Sequence, residues 1–439
     1  MPQKKLAILG GTPVRSKPYP PTNSLGKEEK KAALKVMDER VISDFLGRPG
    51  KKFLGGKHVQ EFEAMMCKMF KVKYAVSFNS ASTALQAAVA ALGIGPGDEV
   101  ITSPYTMAAT ATAILLNNAI PVFADVDMNT FCLDAASVEK NITPRTKAIL
   151  TVNLYGGPTD FDKLLPVAKK HNLKIIEDNA QSIGAKYRGK FLGTVGDIGV
   201  FSFNVHKNLQ CGEGGVLVTN DKKLAFRAQL VRNHGEAVVD ALYDEDGKTY
   251  EAIAGNNLRL SELHAAVAVE QLKKMDKLMK PCVELAEYLS SKMKQFSWLE
   301  PPKLLKNTTH AYYVFPFKFH KDAIGISRAT FERAVLAENL PIHAGYVKPI
   351  YLMQIFQRRE IFPNTKFPFE SKEFPTSVSY EEGICPQVEY LEKEEMMFTT
   401  ICHPPQTRKD IDVLVDVFAR IESQVEDLKK YELKKKAKK

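Results

Sequence analysis

Residues 147–181, KAILTVNLYGGPTDFDKLLPVAKKHNLKIIEDNAQ, decide the fold. An apolar run at 147–153 gives way to helical spacing over 160–170. A second apolar run at 173–177 then ends on two carboxylates, Glu177 and Asp178. Strand, helix and strand in that order form a crossover unit, which joins parallel strands. The alternation continues on both sides. Further apolar runs fall at 74–78, 100–102, 120–124, 198–203 and 215–218, with helical stretches at 82–92, 106–116 and 134–140. Such apolar strands suit a sheet covered on both faces. The expected class is α/β, with a large, doubly wound, mixed but mostly parallel sheet.

Outside this block the text changes character. The first 25 residues are rich in Gly, Pro and Ser and read as an extended arm, and 27–36 looks helical. From Ser261, a plausible N-cap, to about 295, apolar residues such as Leu263, Ala266, Val269, Leu272 and Met275 recur at helical spacing and predict one long helix bridging two lobes. Beyond it, a strand at 310–319 and helices at 327–338 and 408–425 predict a smaller α+β lobe. The stretch 346–400, full of Pro, Phe, Tyr and Glu, reads as a long structured excursion near a site or interface. The expected division is an arm at 1–25, a large domain at 26–275, a small domain at 276–428, and a basic tail at 429–439 that reads as a fraying helix or as disorder.

Composition narrows the classes. At 439 residues, 44% hydrophobic and 26% charged, the chain is ordinary globular material of two to three domains. The net charge of +10 owes much to the seven lysines of the tail, so it argues poorly for specific nucleic-acid binding. No run of 18 apolar residues suggests a membrane span, and the start lacks signal-peptide features. Six dispersed cysteines without a CxxC pair predict reduced thiols in a cytoplasm. The nine scattered histidines predict no metal site.

Three segments fall at strand ends, where ligands collect in open α/β sheets. Asn79 to Leu85 opens a helix with small hydroxylated residues. That end could be a serine cap alone, or a cradle for a phosphate dianion. Lys174 to Gln181 places a carboxylate at the end of a buried strand. It needs a partner: an arginine, a helix end, or a protonated ring nitrogen. Phe201 to Gly215 sets Lys207 between an aromatic strand and a glycine-rich turn. Together the three supply an anion cradle, a carboxylate for a ring nitrogen, and an amine that can form an imine. Pyridoxal 5'-phosphate requires these parts.

At these residues the chain resembles the DegT/DnrJ/StrS family of sugar aminotransferases, within the type I aminotransferase fold. The likeness runs from about Leu6 to Ile421. It is carried by Gly95-Pro96-Gly97-Asp98-Glu99-Val100, Glu177 to Gln181, Gly193 to Phe203, Lys207 to Gly215, Arg232-Asn233-His234-Gly235 and Gly255 to Arg259. The resemblance implies that Lys207 holds the cofactor's aldehyde as a Schiff base and moves the proton. It implies Asp178 as the pyridinium partner and Gln181 beside the phenolic oxygen. Ala81, Ser82 and Ser202 would form the phosphate cradle. Asn257 would reach the neighbouring subunit's phosphate site, which implies a homodimer with shared active sites.

Two positions depart from the family's habit. Ala81-Ser82 replaces a common Gly-Thr, and Met107 stands where an aromatic stacks on the cofactor, with Tyr105 a possible substitute. Some members carry histidine at the lysine position and act as dehydratases or deoxygenases; the intact Lys207 favours transamination. The expected reaction moves an amino group from glutamate or glutamine to a keto-sugar, nucleotide-linked by expectation, or to a keto-cyclitol. The Lys207 pKa should be lowered by burial and nearby cations. His343, Tyr346 and Tyr351 are candidate acceptor-pocket residues from the smaller lobe.

Overall fold

A computed structural model describes residues 4–251 and 253–436. Seven strands form the main sheet: β1 (Tyr74–Phe78), β2 (Glu99–Thr102), β3 (Ile120–Phe123), β4 (Thr146–Val152), β5 (Lys174–Asp178), β6 (Ile198–Ser202) and β7 (Gly215–Thr219). Their spatial order is β1-β7-β6-β5-β4-β2-β3. The pairs β2/β3, β2/β4, β4/β5 and β5/β6 are parallel, while β7 runs antiparallel to both β1 and β6. This is the type I aminotransferase fold of the α/β class.

Successive residues of a strand point to opposite faces, and the core divides accordingly. Ile101, Ile149 and Ile175 join Phe62, Met66 and Leu272 on one face. Their neighbours Val100, Leu150 and Ile176 join Leu85, Ala88 and Val89 on the other. Helix Ala81–Ala91 thus covers one side, and helices Lys57–Phe70 and Glu262–Lys273 the other. Several helices start where a side-chain oxygen accepts from a free N–H: Ser80 from Thr83, Asp134 from Ser137, Ser261 from His264.

A second sheet comprises β8 (Leu299–Glu300), β9 (Phe315–Phe319), β10 (His343–Ala344) and β11 (Met396–Thr399), in the order β8-β9-β11-β10, all antiparallel. Its core surrounds Trp298, which is fully buried against Phe296, Phe331 and Phe418. Leu6 and Leu289 belong to the same core.

Three expectations change. The helix over 261–295 is two helices, Glu262–Lys273 and Met275–Met293. Lys274 leaves helical geometry (φ −99°, ψ 4°), and its Nζ lies 2.5 Å from Glu29 on helix Lys27–Glu39. Tertiary packing thus breaks a run whose propensities would continue it. The strand at 310–319 begins only at Phe315, because Tyr312 is left-handed (φ 48°) and donates its N–H to Nδ1 of His310. The helix at 106–116 starts at Ala109, leaving Met107 outside it. The basic tail takes the helical one of its two expected forms, within Val425–Lys436 and with Leu428 buried; its last three residues, like the first three of the arm, lie outside the described residues.

The excursion 346–400 holds short helices at Ile350–Leu352, Gln354–Gln357 and Pro386–Tyr390 before β11. It packs over the edge strand β3: the Tyr380 hydroxyl donates to the Pro121 carbonyl at 2.9 Å. Covering an edge removes an open pairing template.

Candidate active site

The ends of β1, β6 and the start of β7 lie in register. Ser202 pairs with Gly215, and Gly215 with Phe78. A Cβ on Gly215 would stand 2.4 Å from the Ala81 nitrogen, so only glycine lets β7 approach the helix start this closely. Ala81 and Ser82 form the first turn, whose N–H groups have no intrahelical acceptor. The free N–H groups of a helix start thus lie against the strand pair that carries Ser202 and Gly215, an arrangement that suits a phosphate.

Asp178 ends β5 and is buried at 4% exposure. Its Oδ1 accepts the Ala180 N–H at 3.0 Å and its Oδ2 the Thr110 hydroxyl at 2.9 Å. Burial pushes its pKa up; those two donors and the charge of Lys207 oppose the rise. A buried carboxylate held by neutral donors and no ion pair among the described residues is suited to a cationic ring nitrogen. The neighbouring Glu177 points to the opposite face. It accepts the N–H groups of Gly193, Val195 and Gly196, each at 2.7 Å, and so fastens a loop.

Lys207 sits in the turn between β6 and β7, stapled by Phe203 N–H to Gly214 O and Val205 N–H to Gly212 O. Its Nζ lies 4.4 Å from the centre of the Tyr313 ring. Burial lowers its pKa, and the Asp178 carboxylate pulls it back up. The lowering expected from neighbouring cations is therefore corrected: desolvation is the cause. Each of the two groups feels the other's charge, so amine and carboxylate lie within electrostatic reach of one another.

Gln181 spans the site. Its Oε1 accepts the Tyr155 N–H and its Nε2 donates to the Tyr346 hydroxyl, both at 2.7 Å. Beside Lys207 opens a cavity of about 660 Å³, walled by arm residues 18–24, Tyr313, His343, Tyr346, Phe398 and His403. His343 and Tyr346 line it. Tyr351 does not: its ring is buried against Phe123, and its hydroxyl donates to Glu389. Tyr105 is likewise buried, whereas Met107 is 63% exposed. Asn257 forms a bridge with Asn233 and accepts from Arg259 Nε at 2.6 Å.

The sequence reading missed Thr110, Tyr155 and Tyr313. Thr110 had a usable but shared signal, one of two hydroxyls with Thr112 in a helix of otherwise apolar residues. Tyr155 lies in the 3-10 turn just after β4 and Tyr313 in the segment before β9, and neither position carries a mark in the sequence pattern.

The profile of the DegT/DnrJ/EryC1/StrS aminotransferase family matches residues 45–379. The chain is 36% identical over 364 residues to the L-glutamine:2-deoxy-scyllo-inosose aminotransferase of Streptoalloteichus tenebrarius, covering 80% of this chain and 83% of that one. It is 39% identical over 276 residues to the GDP-perosamine synthase of Caulobacter vibrioides, covering 63% and 67%. The crystal structure of an aminotransferase from Psychrobacter cryohalolentis superposes with a TM-score of 0.79 at 28% identity, covering 93% of this chain and 100% of that one. With Asp178, Lys207 and the helix start fitting pyridoxal 5'-phosphate, the chain belongs to the DegT/DnrJ/EryC1/StrS aminotransferase family and is a pyridoxal-phosphate-dependent transaminase of its sugar aminotransferase branch.

Proposed function

We propose that the enzyme takes the amino group of glutamate or glutamine and delivers it to the ketone carbon of a nucleotide-linked sugar or of a cyclitol. The observation that carries this reading is a half-buried Lys207 on the wall of an open cavity, within the electrostatic reach of the buried Asp178 carboxylate. Bound pyridoxal phosphate supplies an electron sink for the carbanion formed at the donor's α-carbon. Asp178 keeps the ring nitrogen protonated, with Thr110 and Ala180 holding the carboxylate in place. Ala81, Ser82 and Ser202 hold the phosphate. Lys207 would hold the cofactor's aldehyde, and because burial favours its neutral amine it would be the group that moves the proton at the donor's α-carbon. His343 and Tyr346 contact the acceptor.

The relatives' printed names support both acceptor types, a GDP-linked sugar and a deoxy-inosose, with L-glutamine the named donor for the latter. A dehydratase or deoxygenase reading fits less well, since it would leave Lys207 without a task. We also propose a homodimer with shared sites. Exposed Leu34, Met37, Ile42, Leu46 and Val205 supply apolar surface for a second copy, and Asn257 is the residue offered across it. No described helix is long and apolar enough to cross a membrane, and all six cysteines are unpaired, which supports a cytoplasmic setting.

The test is a screen of keto-sugar nucleotides against scyllo-inosose, with glutamate and glutamine as donors. Amino product dependent on a donor is expected. A deoxy product formed without any donor, or no transfer to either acceptor class, overturns the reading.

A further inference from the structure

We infer that Glu392 is a positioning residue, which ties the segment bearing Tyr346 to the large lobe and so fixes the Tyr346 hydroxyl between Gln181 and the substrate cavity. The inference rests on the transaminase reading of the same site.

One oxygen of Glu392 serves two lobes. Its Oε2 accepts the Tyr105 hydroxyl at 3.0 Å, from the loop after β2, and the Tyr346 N–H at 2.8 Å, just after β10. The Tyr346 hydroxyl then accepts from Gln181 Nε2 at 2.7 Å. Edge-on contacts hold the same ring, from Tyr155 at 4.9 Å and Tyr105 at 6.1 Å. A tyrosine hydroxyl has one proton to give. With Gln181 as donor, that proton remains for the cavity beside Lys207, which Tyr346 lines.

The chain is shaped to allow this. Gly345 is left-handed (φ 70°), and a Cβ there would stand 2.4 Å from Glu392 Oε1. Glu392 lies in a π-helical turn, Leu391–Glu395. Such turns carry an extra residue at a cost in hydrogen bonding, and they concentrate at functional sites. Arg328 compensates that cost by donating to the carbonyls of Leu391, Glu392 and Met396. A leucine in this place could accept from neither Tyr105 nor Tyr346, so the tie between the two segments depends on the carboxylate.

The experiment compares Glu392→Gln, Glu392→Leu, Tyr346→Phe and the Glu392→Leu/Tyr346→Phe double variant in the holoenzyme. Readouts are acceptor kcat/KM, thermal midpoint, and the pH titration of the bound cofactor's visible band. Glu392→Gln keeps an acceptor oxygen and should stay within about threefold of wild type. Glu392→Leu and Tyr346→Phe should each lose about tenfold or more, the worth of one hydrogen bond in a dry site. The double variant should be no worse than the poorer single one. The visible band should titrate at a displaced pH in Glu392→Leu but not in Glu392→Gln. If Glu392→Leu fails to fold, Tyr105→Phe removes one partner of the same oxygen, and its loss of activity should vanish in the Tyr346→Phe background. Additive losses, or a Glu392→Gln as impaired as Glu392→Leu, overturn the inference. The visible-band readout needs no substrate, so it judges Glu392 even if the acceptor assignment fails.

Discussion

The amine of Lys207 rests 4.4 Å above the centre of the Tyr313 ring, with the Asp178 carboxylate near enough to raise its pKa. Lysine, aromatic face and acid come from three separate loops and strand ends. Replacing Lys207 by alanine should leave the thermal midpoint within a few degrees of wild type. It should abolish both turnover and cofactor attachment by borohydride, read as mass on the Lys207 peptide. A Lys207→Ala variant that still transaminates would remove the basis of the proposed chemistry.

Asp178 gives a prediction about stability rather than rate. Burial raises its pKa in the folded protein, whereas the unfolded chain titrates near ~3.9. Between those two values the native state binds more protons, so stability falls as pH rises through that window. Cofactor-free Asp178→Asn should therefore be more stable than cofactor-free wild type at neutral pH, by about 1–3 kcal/mol, and should lose that advantage below pH ~4. In the holoenzyme the order should reverse, with kcat down by about a hundredfold for lack of the charge that holds the ring nitrogen protonated. Thermal melts with and without cofactor, across pH, decide it.

Arg232 is fully buried and pairs with Glu63 at 2.6 Å, its guanidinium lying over the Phe45 ring at 4.8 Å. Its Nε and Nη2 have no hydrogen-bond partner among the described residues. Removing its one counter-charge among those residues with Glu63→Gln should cost about 3–5 kcal/mol, measured by urea denaturation.

Gly215→Ala would drive a methyl group into the backbone at Ala81. A loss of about 1–3 kcal/mol of stability is expected, together with at least a tenfold weaker pyridoxal-phosphate dissociation constant, read from visible absorbance. Unchanged cofactor affinity would separate the helix start from phosphate binding.

Much of this was legible from the residues. The seven main strands fall within a residue or so of the apolar runs, because buried strands write their boundaries as composition. Asp178, Lys207, Gly215 and the helix opening at Ser80 were readable for a related reason: charge or glycine is expensive there without a task. What escaped was set by long-range packing. The interruption at Lys274 follows a partner 245 positions away, Glu29. Tyr351 was misread because an aromatic in an irregular segment looks alike whether it lines a cavity or fills a core. Tyr313 and Glu392 reach the site only through lobe contacts, and the extra residue of a π-turn leaves no mark in apolar spacing.

The reversal of β7 within an otherwise parallel sheet has a mechanical consequence. A parallel strand would have to be reached by a crossover returning from the far rim. An antiparallel one can be entered directly from β6 through residues 203–214. The reactive lysine therefore rides on a short span anchored in the sheet at both ends, and the span's exit, Gly215, abuts the phosphate-binding turn. Tension at either support would be felt at both, so grip on the cofactor's tail and aim at its aldehyde should be gained or lost together.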